Sequence, residues 1–151
     1  MTLSERLEAA MRDAMRARDE MRTQTLRMAM AAAHNQKIAK RRDLSDDEVV
    51  EVLTKQVKQR RESIAMYRDA GRDDRAAAEE AEATILAEFL PQQLSEAEVE
   101  EMARAAIADT GAIAPGDLGR VMGALSPRTK GRADGKLVSD VVRRLLDGAR
   151  A

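Results

Sequence analysis

The sequence predicts an all-α protein, built as an N-terminal antiparallel helical array followed by a compact three-helix module. Composition is the first reason. The 151 residues include 28 Ala, are rich in Arg, Glu, Leu and Met, and hold almost no β-branched run, a balance that favours helices over strands. Patterning is the second, because apolar residues recur at three- and four-residue intervals between polar ones. The third is punctuation: Ser, Thr and Asp stand where helices must start, and Gly or Pro where they must stop.

Thr2 and Glu5 have the spacing of a capping box, after which Leu3, Leu7, Ala10, Met11, Ala14 and Met15 fall on one stripe of a helix that ends near Arg18. Asp19 caps a second helix, in which Met21, Met28, Ala29, Ala32 and Ala33 form a thin, Ala-rich inward face before the polar run from Lys40 to Asp43 closes it. The clearest start is Leu44-Ser45-Asp46-Asp47-Glu48-Val49, where Ser45 and Glu48 satisfy each other's orphan amides and Leu44 staples onto Val49. The third helix then carries Val49, Val52, Leu53, Val57, Ile64 and Tyr67 and ends at Gly71, a residue suited to a left-handed cap. A fourth, from about Asp74 to Leu90, turns Ala77, Ala81, Ile85, Leu86 and Phe89 inward and stops at Pro91. Long helices joined by short turns pack most economically as antiparallel neighbours.

Seven of the eight glycines lie beyond Pro91, so the texture changes there. Leu94-Ser95-Glu96-Ala97-Glu98-Val99 repeats the capping arrangement of the third helix and starts a helix that runs to Thr110 and stops at Gly111, burying Val99, Met102, Ala103, Ala106 and Ile107. Asp117 caps a brief helix with Leu118, Val121, Met122 and Leu125 on one side, and Ser126-Pro127 breaks it. The last helix, roughly Gly135 to Asp147, buries Leu137, Val138, Val141, Leu145 and Leu146. The domain reading is therefore residues 1–94, helical array with connector, and 95–151, the C-terminal module.

Several function classes fall away by subtraction. The chain has no Cys and one imidazole, His34, which excludes disulfides, thiol chemistry and a Cys/His zinc site. Carboxylate pairs at Asp46/Asp47, Asp73/Asp74, Glu79/Glu80 and Glu100/Glu101 sit side by side in sequence. Neighbours on a helix diverge by about 100°, so such pairs do not converge as an acid/base dyad or metal clamp. No GxxxxGK[ST] or GxGxxG motif is present. The sequence thus predicts no catalytic residue, cofactor or metal of its own. The longest apolar run, Met28 to Ala33, is far shorter than the roughly 20 residues of a membrane span, and acidic residues interrupt the Arg-rich start. The expected location is the cytoplasm.

Charge is balanced globally, 26 basic against 27 acidic side chains, so any electrostatic partner must be met by a local patch. Residues 119–136 hold Arg120, Arg128, Lys130, Arg132 and Lys136 against Asp134 alone, in the only cationic stretch that coincides with Gly-rich backbone. Gly131 and Gly135 let a phosphate approach the main chain there, and the following helix offers unpaired amides at its N-terminus. Gly119 and Gly123, four apart, bare one stripe of the preceding helix for close contact. The same residues also fit a plainer arrangement, in which Asp134 caps the last helix, the glycines permit tight packing and the cations are solvated. The C-terminal module holds no aromatic residue for base stacking, so RNA bound there would be met through shape and backbone.

Val121-Met122-Gly123-Ala124-Leu125 followed by Lys130-Gly131-Arg132-Ala133-Asp134-Gly135-Lys136-Leu137-Val138 closely resembles the signature of the GatB/YqeY family, the segment from Gly131 to Val138 being its most specific part. The stretches 57–64 and 88–95 resemble those of its small stand-alone YqeY-like members. The resemblance implies that the C-terminal module is similar to the tail domain of the B subunit of a tRNA-dependent amidotransferase, whose role is to contact tRNA. It also implies an association with carbon–nitrogen ligase activity that uses glutamine as amido donor, although the chain has no room for the catalytic cradle. The partners so implied are tRNA or an aminoacyl-tRNA or translation-related protein, with Lys130, Arg132 and Lys136 as tRNA-facing candidates, Arg128 and Arg120 as neighbours, and Gly123, Gly131 and Gly135 shaping the backbone. A protein-interaction module without RNA, and an accessory component of the amidotransferase, are the competing expectations.

Overall fold

The computed structural model describes residues 1–148, among which every α-helix is joined by turns and no strand occurs. Contacts divide the chain into two compact units, Met1–Leu90 and Pro91–Ala151. Residues 149–151 of the expected C-terminal module lie outside the described residues.

The first unit holds α1 (Leu3–Arg16), α2 (Glu20–Lys40), α3 (Asp46–Asp69) and α4 (Asp73–Ala87). Its helix starts are the capped ones. The Thr2 and Ser45 hydroxyls accept from the Glu5 and Glu48 amides while those carboxylates return the bond, and Asp19 accepts from the Arg22 amide at 3.1 Å. Arg18 and Arg41 take positive φ, 57° and 56°, where α1 and α2 end, and Gly71 does so between α3 and α4. Glu48 has a second role: Arg42 and Lys40 bond its carboxylate at 2.6 and 2.9 Å. Those two bonds, with the Ser45 amide, hold the carboxyl well below the usual carboxylate range.

Leu3, Leu7, Leu26, Ala29, Val49, Leu53, Val57, Leu86 and Phe89 form the core of this unit. Two elements of this unit differ from expectation. On α2 the buried face is Thr25, Leu26 and Ala29, whereas Met21 and Met28 are 43% and 57% exposed. The helix packs against α1, α3 and α4, and small residues flanking Leu26 permit that crowding where two methionines would not. On α4 it is Ala76, not Ala77, that is buried, and the helix ends at Ala87. Phe89 is buried in the turn beyond, with the Arg6 and Arg22 guanidinium carbons 5.9 and 6.0 Å from its ring centroid. Arg60 of α3 is 5% exposed and bonds Glu82 of α4 at 3.2 Å and the Gln56 side chain at 3.0 Å.

The second unit holds α5 (Glu96–Thr110), a 3-10 turn (Pro115–Asp117), α6 (Leu118–Thr129) and α7 (Gly135–Gly148). Its three helices pack pairwise around Val99, Ala103, Ala106, Val121, Leu125, Val138, Val141, Val142 and Leu146. At Ser95 only half of the expected box forms: the hydroxyl accepts from the Glu98 amide at 3.2 Å without the return bond. Asp117 does not cap α6 with its side chain. Its carboxylate folds back to accept the Ile113 and Ala114 amides at 3.0 and 3.2 Å, which lowers its pKa. Nor does Pro127 break α6, which continues through it to Thr129. Proline removes the bond to the carbonyl four residues back, here that of Gly123, an exposed residue, so the lost bond falls on the solvent side of the helix within its last turns. No helix among the described residues is long and apolar enough to cross a membrane.

Candidate functional site

The residues singled out between Gly119 and Lys136 occupy α6, the turn after it and the first turn of α7. Helix periodicity splits α6 in two: Val121 and Leu125 are buried, while Gly119, Arg120, Gly123, Ala124, Pro127 and Arg128 are exposed. A Cβ added at Gly119 or Gly123 would meet nothing within 4 Å. The bare stripe therefore faces outward and serves no helix packing inside the unit.

The turn itself is tied down. The Lys130 amide donates to the Ser126 carbonyl at 2.9 Å, and those of Arg132 and Ala133 donate to that of Thr129 at 2.8 and 3.0 Å. Gly131 is buried with φ 74°, a conformation costly to a residue with a Cβ. Its carbonyl accepts from the Gln93 side chain at 2.8 Å, and the Arg132 carbonyl accepts from the Leu94 amide at 2.8 Å. The Arg132 guanidinium donates to the carbonyls of Gln92 at 3.2 Å and Arg128 at 3.4 Å. Residues 92–94 and the turn are thus laced together, with Arg132 as a half-buried clamp.

Among the five candidate cations, Arg128, Lys130 and Lys136 are exposed around this one turn, with Arg132 bonded into it. Arg120 is apart. It lies eight residues before Arg128 on α6, about 12 Å along the axis, and pairs with Asp117 at 3.2 Å. At the start of α7, the Asp134 carbonyl accepts from the Val138 amide at 3.0 Å and its carboxylate lies 3.4 Å from the Lys136 amide. This carboxylate already meets one amide of the helix N-terminus, so an anion arriving there would share the site with it. Gly135 is exposed, with open space where a Cβ would stand.

Sequence reasoning missed the partners of the clamp, Gln92, Gln93 and Leu94, because their pairing spans the whole module. It also missed a second cationic cluster, in which Arg104 of α5 and Arg144 of α7 share Glu100 at 2.6 and 3.3 Å and hold its carboxyl low. Elsewhere, His34 is exposed in a groove with Glu5, Glu8, Lys37 and Asp43. Among the described residues no group of three or more His, Asp or Glu side chains is arranged to hold a metal ion.

A family model described as Yqey-like protein matches residues 4–146. The chain belongs to the YqeY-like family. The match runs through both units and includes every candidate residue from Gly119 to Lys136. No curated protein matches the chain.

Proposed function

We propose that this YqeY-like protein is a non-catalytic helical protein that binds tRNA, or a complex that processes tRNA, through the turn between α6 and α7. The observation that carries the reading is that Arg128, Lys130 and Lys136 are exposed around one turn whose backbone is held by Gln92, Gln93 and Leu94. A rigid turn presents cations at fixed positions, which favours phosphate positioning over base reading. The outward Gly119, Gly123, Ala124 and Pro127 face of α6 leaves room for a nucleic-acid backbone to lie close to the helix. Arg132, by contrast, acts from behind, as a positioning residue.

The test is fluorescence anisotropy with labelled tRNA in a salt series. Reversing Arg128 and Lys136 together to Glu should abolish measurable binding with helicity retained, and the parent protein should lose affinity steeply as salt rises. Equal binding by parent and variant at low salt would remove this turn as the RNA site.

A second reading, accessory action in tRNA-dependent amidation by a carbon–nitrogen ligase with glutamine as donor, rests on the resemblance of residues 121–138 to the amidotransferase tail. Amidation of Glu-tRNA(Gln) measured with and without this chain decides it, and an unchanged rate would rule it out.

A further inference from the structure

The face of α2 that points away from the first unit's core is patterned, and no described residue covers it. Met21, Gln24, Met28, Ala31, Asn35 and Ile38 are all exposed, Met28 and Ile38 at 57% and 61%. Their spacing alternates three and four residues, the seam of a two-stranded coiled coil, on the side opposite the buried Thr23, Leu26 and Ala29. The three large exposed hydrophobic side chains of this helix, Met21, Met28 and Ile38, all lie on this one seam.

The seam is complementary to itself when reversed. Laid antiparallel on a second α2, with a two-fold axis between Met28 and Ala31, it brings Met21 against Ile38, Met28 against Ala31, and Gln24 against Asn35. The two side-chain amides then face each other, and the apolar residues face apolar ones. A buried amide at a seam position fixes register. The flanks complete the match. Glu20 opens α2 and Arg41 closes it, and neither has an ion pair with another described residue, whereas Lys37, Lys40 and Arg42 are engaged with Asp43 and Glu48. The antiparallel arrangement sets Glu20 beside Arg41 twice, and sets opposite helix-dipole ends together. Arg27 falls beside His34 and adds no attraction. A parallel arrangement would instead set Glu20 beside Thr25, which is buried in the unit's own core, and leave Arg41 without that carboxylate.

We infer that the exposed face of α2 docks a second copy of this chain as an antiparallel helix pair. Sedimentation of the full chain over a concentration series should therefore show a monomer–dimer equilibrium. Met28→Asp should abolish it with helicity unchanged, because Met28 is not part of the unit's core. Glu20→Arg and Arg41→Glu should each weaken self-association about tenfold or more, and an equimolar mixture of the two should recover it, since each then meets only opposite charge. The chain has no Cys, so Met21→Cys and Ile38→Cys chains can be mixed and oxidised. Cross-linking between the two variants, exceeding that of either alone, is the expected outcome. A monomer at every concentration, a dimer indifferent to Met28→Asp, or charge variants that do not rescue each other would overturn the inference. So would loss of binding to an unrelated protein as the only effect of Met28→Asp.

Discussion

Replacing Arg132 with Gln separates a clamp from a phosphate ligand. Its guanidinium donates to two backbone carbonyls, at 3.2 Å to Gln92 and 3.4 Å to Arg128, from a half-buried position. A charge-assisted hydrogen bond contributes roughly 1.5–3 kcal/mol when well formed and shielded. Both bonds here are long and partly solvated, so their combined contribution is about 1–2 kcal/mol. For a unit of this size each kcal/mol shifts the melting temperature by about 4–8 °C, which puts the expected fall at about 4–16 °C by circular dichroism or calorimetry. The slope of log affinity for tRNA against log salt should stay at the parent value, because no phosphate contact is lost. Arg128→Gln and Lys136→Gln should do the reverse. Stability should hold within about 0.5 kcal/mol, and the slope should shrink by about one for each. An Arg132→Gln protein that melts like its parent but loses one unit of slope would refute the clamp and return Arg132 to the RNA-facing group.

Three further outcomes follow from the packing. Thr25 is 1% exposed and its hydroxyl has no hydrogen-bond partner among the described residues, so Thr25→Val should stabilise by about 1 kcal/mol in urea unfolding; a loss of stability would mean the hydroxyl is satisfied. Pro127→Ala restores a donor for the Gly123 carbonyl and should stabilise α6 by about 1 kcal/mol, read in the same assay, while destabilisation would show that the ring is packed. Glu48 has its carboxyl pKa depressed by Arg42, Lys40 and the Ser45 amide, so its stabilising effect is complete above the unfolded glutamate value, about 4.3, and is lost as pH falls toward the folded value. Glu48→Gln should therefore be most damaging near neutral pH and converge on the parent in acid. A deficit that stays constant with pH would contradict this.

Local chemistry was the legible part of the fold. Thr2/Glu5 and Ser45/Glu48 close as boxes because both partners lie within one turn, and Gly71 and Gly111 end helices because only the backbone is involved. What required neighbours was hidden. On α2 the Ala content flattens the contrast between faces, so patterning points the methionines inward although Leu26 and its small neighbours fill the space available. Arg60 carries a charge that sequence patterning assigns to solvent, and only Glu82 across the helix pair makes its burial tolerable. Pro127 reads as a stop, yet exposure at Gly123 lets the helix pass through it. At the candidate site the cationic run was visible in full. The division of labour within it, three cations outward and Arg132 inward, depends on carbonyls contributed by Gln92 and Arg128.

The bond from the Leu94 amide to the Arg132 carbonyl gives the turn a built-in gauge. Deuterium uptake at that single amide, just ahead of α5, is governed by whether a loop far along the chain keeps its shape. An occupant that stiffens the loop slows exchange there and one that pries it open speeds it, so the sign of the effect distinguishes docking from remodelling without any dye or tag near the cations.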